Sequence, residues 1–159
     1  MSLVEVYADE RVLMCHEGAL FLCGWSDAPT ATQMKALGEH GRRVEAEHGP
    51  SSLINIAFGG VPKFSDEVRA LAAEATADAS RFQRSRAHVV MIGGFTGVAV
   101  VAFINTFVLR GKPPRPTKIF RSTDDAIAWT APHMSPPGDA LAIAELVADL
   151  KRRLAPQLR

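Results

Sequence analysis

From Val89 to Leu109 the chain reads VVMIGGFTGVAVVAFINTFVL, a run without a charged side chain. The charged residues on both sides of it, from Arg81 to Arg121, are all basic. About 20 apolar residues are long enough for one membrane-spanning helix. The Gly93-Gly94 pair supports a different reading, in which the run splits into a buried strand, His88–Ile92, and an apolar helix, Phe95–Arg110. Val89, Val90 and Ile92 are β-branched and fit a pleated surface. An unbroken apolar strand suits the middle of a sheet covered on both faces. Thr96 is placed to cap the helix, and Gly111 with Pro113 and Pro114 to stop it.

The surrounding sequence favours strand, turn and helix over a membrane span. Leu3–Ala8 alternates in the manner of a strand, and Val12–His16 with Ala19–Gly24 reads as a hairpin. Thr30 and Gln33 form a capping box for a first helix, which His48-Gly49-Pro50 ends. Gly38 and Gly41 weaken its middle and allow either a close approach to the sheet or a bend. Ser52–Phe58 is a further strand. Ser65 caps a second helix whose first turn holds Asp66 and Glu67, where acids favour the helix dipole. After the central run, the proline-rich segment Gly111–Pro116 reads as a stiff connector to a last strand, Thr117–Phe120, and a short helix, Asp124–Thr130. The alternation predicts an α/β fold: a mixed, mainly parallel sheet with an N-terminal antiparallel hairpin and helices packed on it. Residues 1–131 form this domain. Residues 132–159 are a proline-rich linker and an amphipathic C-terminal helix, packing on the same domain or on a partner subunit.

A chain of 159 residues, 47% hydrophobic and 22% charged, is an ordinary globular composition. The early acids Glu5, Asp9 and Glu10 do not resemble a signal peptide, so a cytoplasmic location is the expectation. With Glu17-Gly18 as the hairpin turn, Cys15 faces Leu20 and Cys23 faces Val12, on opposite faces of the sheet. Two reduced, buried thiols are therefore expected.

Few residues point to chemistry. His40 and His48 lie eight positions apart on a helix and cannot share a metal as an i, i+4 pair would. His16, His88 and His133 lie in a turn, before a buried strand and in the proline linker. No cofactor, metal site or nucleic-acid partner is expected. The glycine-rich turn at Gly93, Gly94, Thr96 and Gly97 can bring backbone N–H groups to an anion, with Arg84, Arg86 or Lys118 assisting. Tight helix–sheet packing is its structural alternative. Residues 81–121 carry eight bases and no acid, so these either converge on a positive patch or scatter around the strand ends.

Lys118-Ile119-Phe120 leading into Asp125-Ala126-Ile127-Ala128-Trp129, together with INIAFGGVPKFSDEV from Ile54 to Val68, resembles the SpoIIAA-like proteins of the STAS superfamily. The resemblance covers about residues 5–131. It implies the α/β fold shared with lipid-handling CRAL-TRIO domains and a regulatory role through protein contacts, as in bacterial STAS-like proteins. Anti-sigma factor antagonists carry a phosphorylatable serine after an aspartate where this chain has Ser65. Here Phe64 precedes Ser65, and Asp66 and Glu67 would repel a phosphate. Ser65 is accordingly expected to be a helix cap.

The helix of the opening run is apolar around nearly its whole circumference, more than one face of a sheet requires. The C-terminal helix is the first candidate to cover the surplus. A second copy of the chain is the next, contacting Phe95, Val100, Phe103, Ile104 and Phe107, and a lipid-like ligand the third. The sequence therefore predicts a non-catalytic, STAS-like protein-interaction domain that self-associates as a homodimer. The alternatives are a binding module for an apolar or lipid-like ligand with an anionic head group, or an enzyme using the Gly93–Gly97 turn.

Overall fold

The computed structural model describes residues 2–61, 63–110 and 113–158, with 107–110 described by their secondary structure alone. Six strands make one sheet in sequence order. They are β1 (Val4–Ala8), β2 (Val12–Glu17), β3 (Leu20–Trp25), β4 (Ser52–Ala57), β5 (Ser85–Val90) and β6 (Thr117–Phe120). β1, β2 and β3 pair antiparallel, and β3 to β6 pair parallel. The helices are α1 (Ala31–His48), α2 (Asp66–Ala77), α3 (Gly94–Arg110), α4 (Thr123–Thr130) and α5 (Ala140–Leu154). This is the mixed, mainly parallel α/β fold that the alternation predicts.

The order of the strands explains the layers. Each parallel step moves one strand further in the same direction, so crossovers of one hand put α1, α2 and α3 on a single face. After the edge strand β6 the chain reaches the other face with α4 and α5. Side chains at alternate strand positions feed the two cores. Leu13, Leu22, Ile54 and Val89 meet α4 and α5, whereas Met14, Phe21 and Leu53 meet the α1 side.

The Gly93-Gly94 break is present, with shifted boundaries. β5 starts at Ser85 and ends at Val90, and α3 begins at Gly94, whose φ of +63° suits glycine. Thr96 lies within the helix and is not its cap. The Gly97 N–H donates to the Gly93 carbonyl at 3.2 Å, which places the cap at Gly93. Among the described residues no helix is long and apolar enough to cross a membrane. Ser65 is an N-cap: its Oγ accepts from the Val68 N–H at 3.2 Å. On α1, Gln33 Oε1 accepts from the Thr30 N–H at 2.7 Å.

Two further expectations need correction. The hairpin turns at Gly18-Ala19, because Gly18 takes a φ of +52° at the first central position, as a type II′ turn demands. Cys15 therefore pairs with Leu22 and Cys23 with Met14. Both thiols are free and buried, and they belong to different cores. Burial raises Cys15 to about 11 and Cys23 well above the usual thiol value. The second correction concerns α5, which does not cover α3. Leu146, Val147, Leu150 and Leu154 pack on β2 and β3 from the opposite face. The hairpin part of that face would otherwise be bare, since α4 covers β4 to β6.

Candidate functional site

On the α1–α3 face, Cys23, Asn55 and His88 form one row across β3, β4 and β5, and Leu53 and Arg86 belong to the preceding row. α2 presents Ala72, Ala75 and Thr76 to this area, and side chains so short leave space above the sheet. The result is a cavity of about 140 Å3 between the sheet and the three helices. Met34 and Leu37 wall it from α1, and Val100, Phe103 and Ile104 from α3. Phe64 closes over it by stacking on Phe103, with ring centroids 3.7 Å apart and planes 12° from parallel. Exposed Val61 marks one end, and buried Arg81 and Phe82 mark another.

Three polar side chains cross the cavity wall as a chain. The Trp25 Nε1–H donates to Asn55 Oδ1 at 2.7 Å, and Asn55 Nδ2 lies 3.2 Å from His88 Nδ1. Because indole can only donate, Asn55 must turn its carbonyl to Trp25 and its NH2 to His88. His88 Nδ1 is then the acceptor, and the imidazole proton sits on Nε2. That N–H has no hydrogen-bond partner among the described residues. Burial, with the Arg86 charge nearby, pulls His88 down to about 4, so the ring is neutral at pH 7.

Two guanidinium groups also line the cavity, and they differ. Arg86, 4% exposed, donates from Nη1 to the Ala75 and Thr76 carbonyls at 2.8 and 3.0 Å. Its Nη2 donates to the carbonyls of Asp78 and Arg81. It thereby satisfies the C-terminal end of α2, where the helix dipole favours a cation. Arg81 is 5% exposed, and its side chain makes no hydrogen bond among the described residues. Its Nε lies 3.8 Å from Asp78, and its guanidinium carbon lies 5.8 Å from the Phe82 ring centre. Burial, with Arg86 adjacent, lowers Arg81 to about 10, so it stays charged at neutral pH.

The glycines of α1 serve these residues. A Cβ at Gly38 would lie 2.5 Å from Arg81 Nη1, and one at Gly41 would lie 2.6 Å from Phe82 Cζ. The sequence reading expected a close approach to the sheet or a bend; the glycines instead admit the loop before β5, through Arg81 and Phe82.

The structure does not bring the predicted anion set together. Gly93, Gly94, Thr96 and Gly97 follow the end of β5, whereas Arg84 and Arg86 stand at its beginning. The strand from Arg86 to Val90 alone spans roughly 13 Å. Lys118 pairs with Ala87 on the other sheet face and holds its ammonium 5.4 Å from the Phe120 ring centre. Gly97 packs against the Ile92 carbonyl. The bases scatter in the same way: Arg115 donates to the Ala79 carbonyl near Arg86, and Arg121 to the Ile92 carbonyl beyond the other end of β5. Lys112 lies outside the described residues, as does the Arg110 side chain.

The predicted interface set is divided too. Phe95 is 95% exposed, Val100 is buried, and Phe103 and Ile104 line the cavity. The Phe107 side chain lies outside the described residues. Sequence reasoning passed over Trp25, Asn55 and Arg81. Asn55 and His88 were discernible as the polar interruptions in two apolar strands, SLINIA and SRAHVV. No protein-family model, curated protein or solved structure matches this chain.

Proposed function

We propose that this chain is a non-catalytic binding domain that takes a small, mainly apolar ligand between β3–β5 and α1–α3. One observation carries this reading: α3 turns Val100, Phe103 and Ile104 onto a mainly apolar space of about 140 Å3. A cavity of 140 Å3 is close to the volume, about 150 Å3, at which an apolar protein cavity binds benzene. The apolar surplus of α3 is thus accounted for on its inner side by the space that a ligand would fill. The resemblance to SpoIIAA-like STAS domains supports a binding role over a catalytic one. Benzene titrated into protein with 13C-labelled methyl groups tests it. Signals of Met34, Leu37, Val100 and Ile104 should shift, and Ala72→Leu, which fills the space from α2, should abolish the response. Unmoved methyl signals at saturating benzene would end this reading.

The outer side of α3 supports a second reading, self-association. Phe95 and Val98 are 95% and 64% exposed on one helix face. A homodimer formed there would dissociate on Phe95→Asp, and sedimentation of a wild-type monomer at high concentration would rule it out.

A further inference from the structure

Arg81 and Arg86 are about equally buried in the wall of one cavity; Arg86 donates from both terminal nitrogens and leaves only its Nε without a partner, whereas the Arg81 side chain makes no hydrogen bond among the described residues. A guanidinium largely removed from water, with its Nε buried and without a partner, is costly. The sequence nevertheless makes room for it, since Gly38 leaves the place where a Cβ would strike Arg81 Nη1. Its acidic neighbour among the described residues, Asp78, makes no hydrogen bond to it and also pairs with Arg42 at 3.2 Å. Around Asp78, just outside the cavity lining, Arg42, Arg81 and Arg86 outnumber the carboxylates of Asp78 and Glu45. A planar guanidinium matches a carboxylate with two parallel N–H···O bonds. The walls around it are apolar, which disfavours a small, fully hydrated anion, and the volume holds about one aromatic ring.

We propose that the cavity selects small apolar monocarboxylic acids, with the carboxylate on the terminal nitrogens of Arg81 and the apolar body against Leu37, Phe103 and Ile104. This rests on the cavity being a ligand site. It relocates the anion-binding group from the glycine turn to a residue on the opposite side of β5.

The test compares benzoate with benzyl alcohol, which have the same ring and differ in charge. Calorimetry on the full chain should give benzoate at least tenfold tighter binding. The Arg81 Nε–H resonance should shift with benzoate and stay in place with benzyl alcohol. Arg81→Gln should reduce benzoate to the affinity of benzyl alcohol and leave benzyl alcohol binding unchanged. Should Arg81→Gln not fold, Asp78→Asn gives the opposite test: removing the competing carboxylate should strengthen the preference for benzoate, and an unchanged or weaker preference overturns the proposal. Equal wild-type affinities, or a preference that survives Arg81→Gln, also overturn it while leaving the ligand site standing. Binding of neither probe overturns both.

Discussion

Gly97 lies so close to the Ile92 carbonyl oxygen that a Cβ at position 97 would come within 1.9 Å of it. The obstacle is backbone, and the same oxygen accepts from Arg121 at 2.7 Å, so it has little freedom to move. Gly97→Ala is therefore expected to push the first turn of α3 away from the sheet and to destabilise by about 1–3 kcal/mol. Gly93, where a Cβ would meet nothing within 4 Å, provides the control. Gly93→Ala should cost less than about 1 kcal/mol. Urea unfolding of the two variants checks the difference, and equal losses would contradict this packing.

His88 gives the fold a pH dependence with a defined sign. Its folded value of about 4 lies below the usual 6.5, so the unfolded chain binds the proton more readily. The stabilisation is complete above about pH 6.5 and is lost as pH falls towards about 4. At 1.36 kcal/mol per unit it amounts to about 3 kcal/mol. Burial lowers His40 as well, and that group titrates in the same direction. Urea unfolding at pH 7.5 and 4.5 should therefore be compared between wild type and His88→Gln. The variant should show the smaller loss on acidification, and parallel losses would remove His88 as the source.

The two faces of the sheet can be separated by mutation. Leu150 is fully buried on the α5 side, and Gly24 leaves room for it, since a Cβ there would lie 3.2 Å from Leu150 Cδ2. Leu150→Ala should cost about 2–5 kcal/mol. Its effect on benzene binding should be slight, because the cavity lies across the sheet. A variant that unfolds less readily than this, or that loses the probe while folded, would place α5 elsewhere.

The fold was legible in the sequence because its signals are local. The Gly93-Gly94 break, the Ser65 cap and the alternation of strand and helix each depend on neighbours in the chain. The site was less legible because its members meet only through register and packing. Trp25, Asn55 and His88 come from three strands, and their contact needs the parallel pairing of β3, β4 and β5. Arg81 looked like one base among eight, and its burial in the cavity wall against Gly38 sets it apart only in the folded chain. α5 was assigned to α3 because the sequence showed two apolar surfaces, but not that a sheet lay between them.

Arg81 and Arg86 should also respond differently to removal. Arg86 donates to four carbonyls, two in the last turn of α2 and two in the segment after it, at Asp78 and Arg81. Replacing it strands buried acceptors, and Arg86→Met should destabilise by about 3 kcal/mol or more. Arg81 satisfies no acceptor by a hydrogen bond, and its burial opposes the charge. Arg81→Met should thus leave stability unchanged or raise it by about 1 kcal/mol, since an apolar side chain of similar length fits an apolar wall. Paired thermal and urea unfolding without ligand measures both. A large loss for Arg81→Met would show that its ion pair with Asp78 and its contact with Phe82 support the fold, and would weaken the case that the guanidinium is held for a ligand. The expected contrast instead describes a charge retained against stability, as a binding group is.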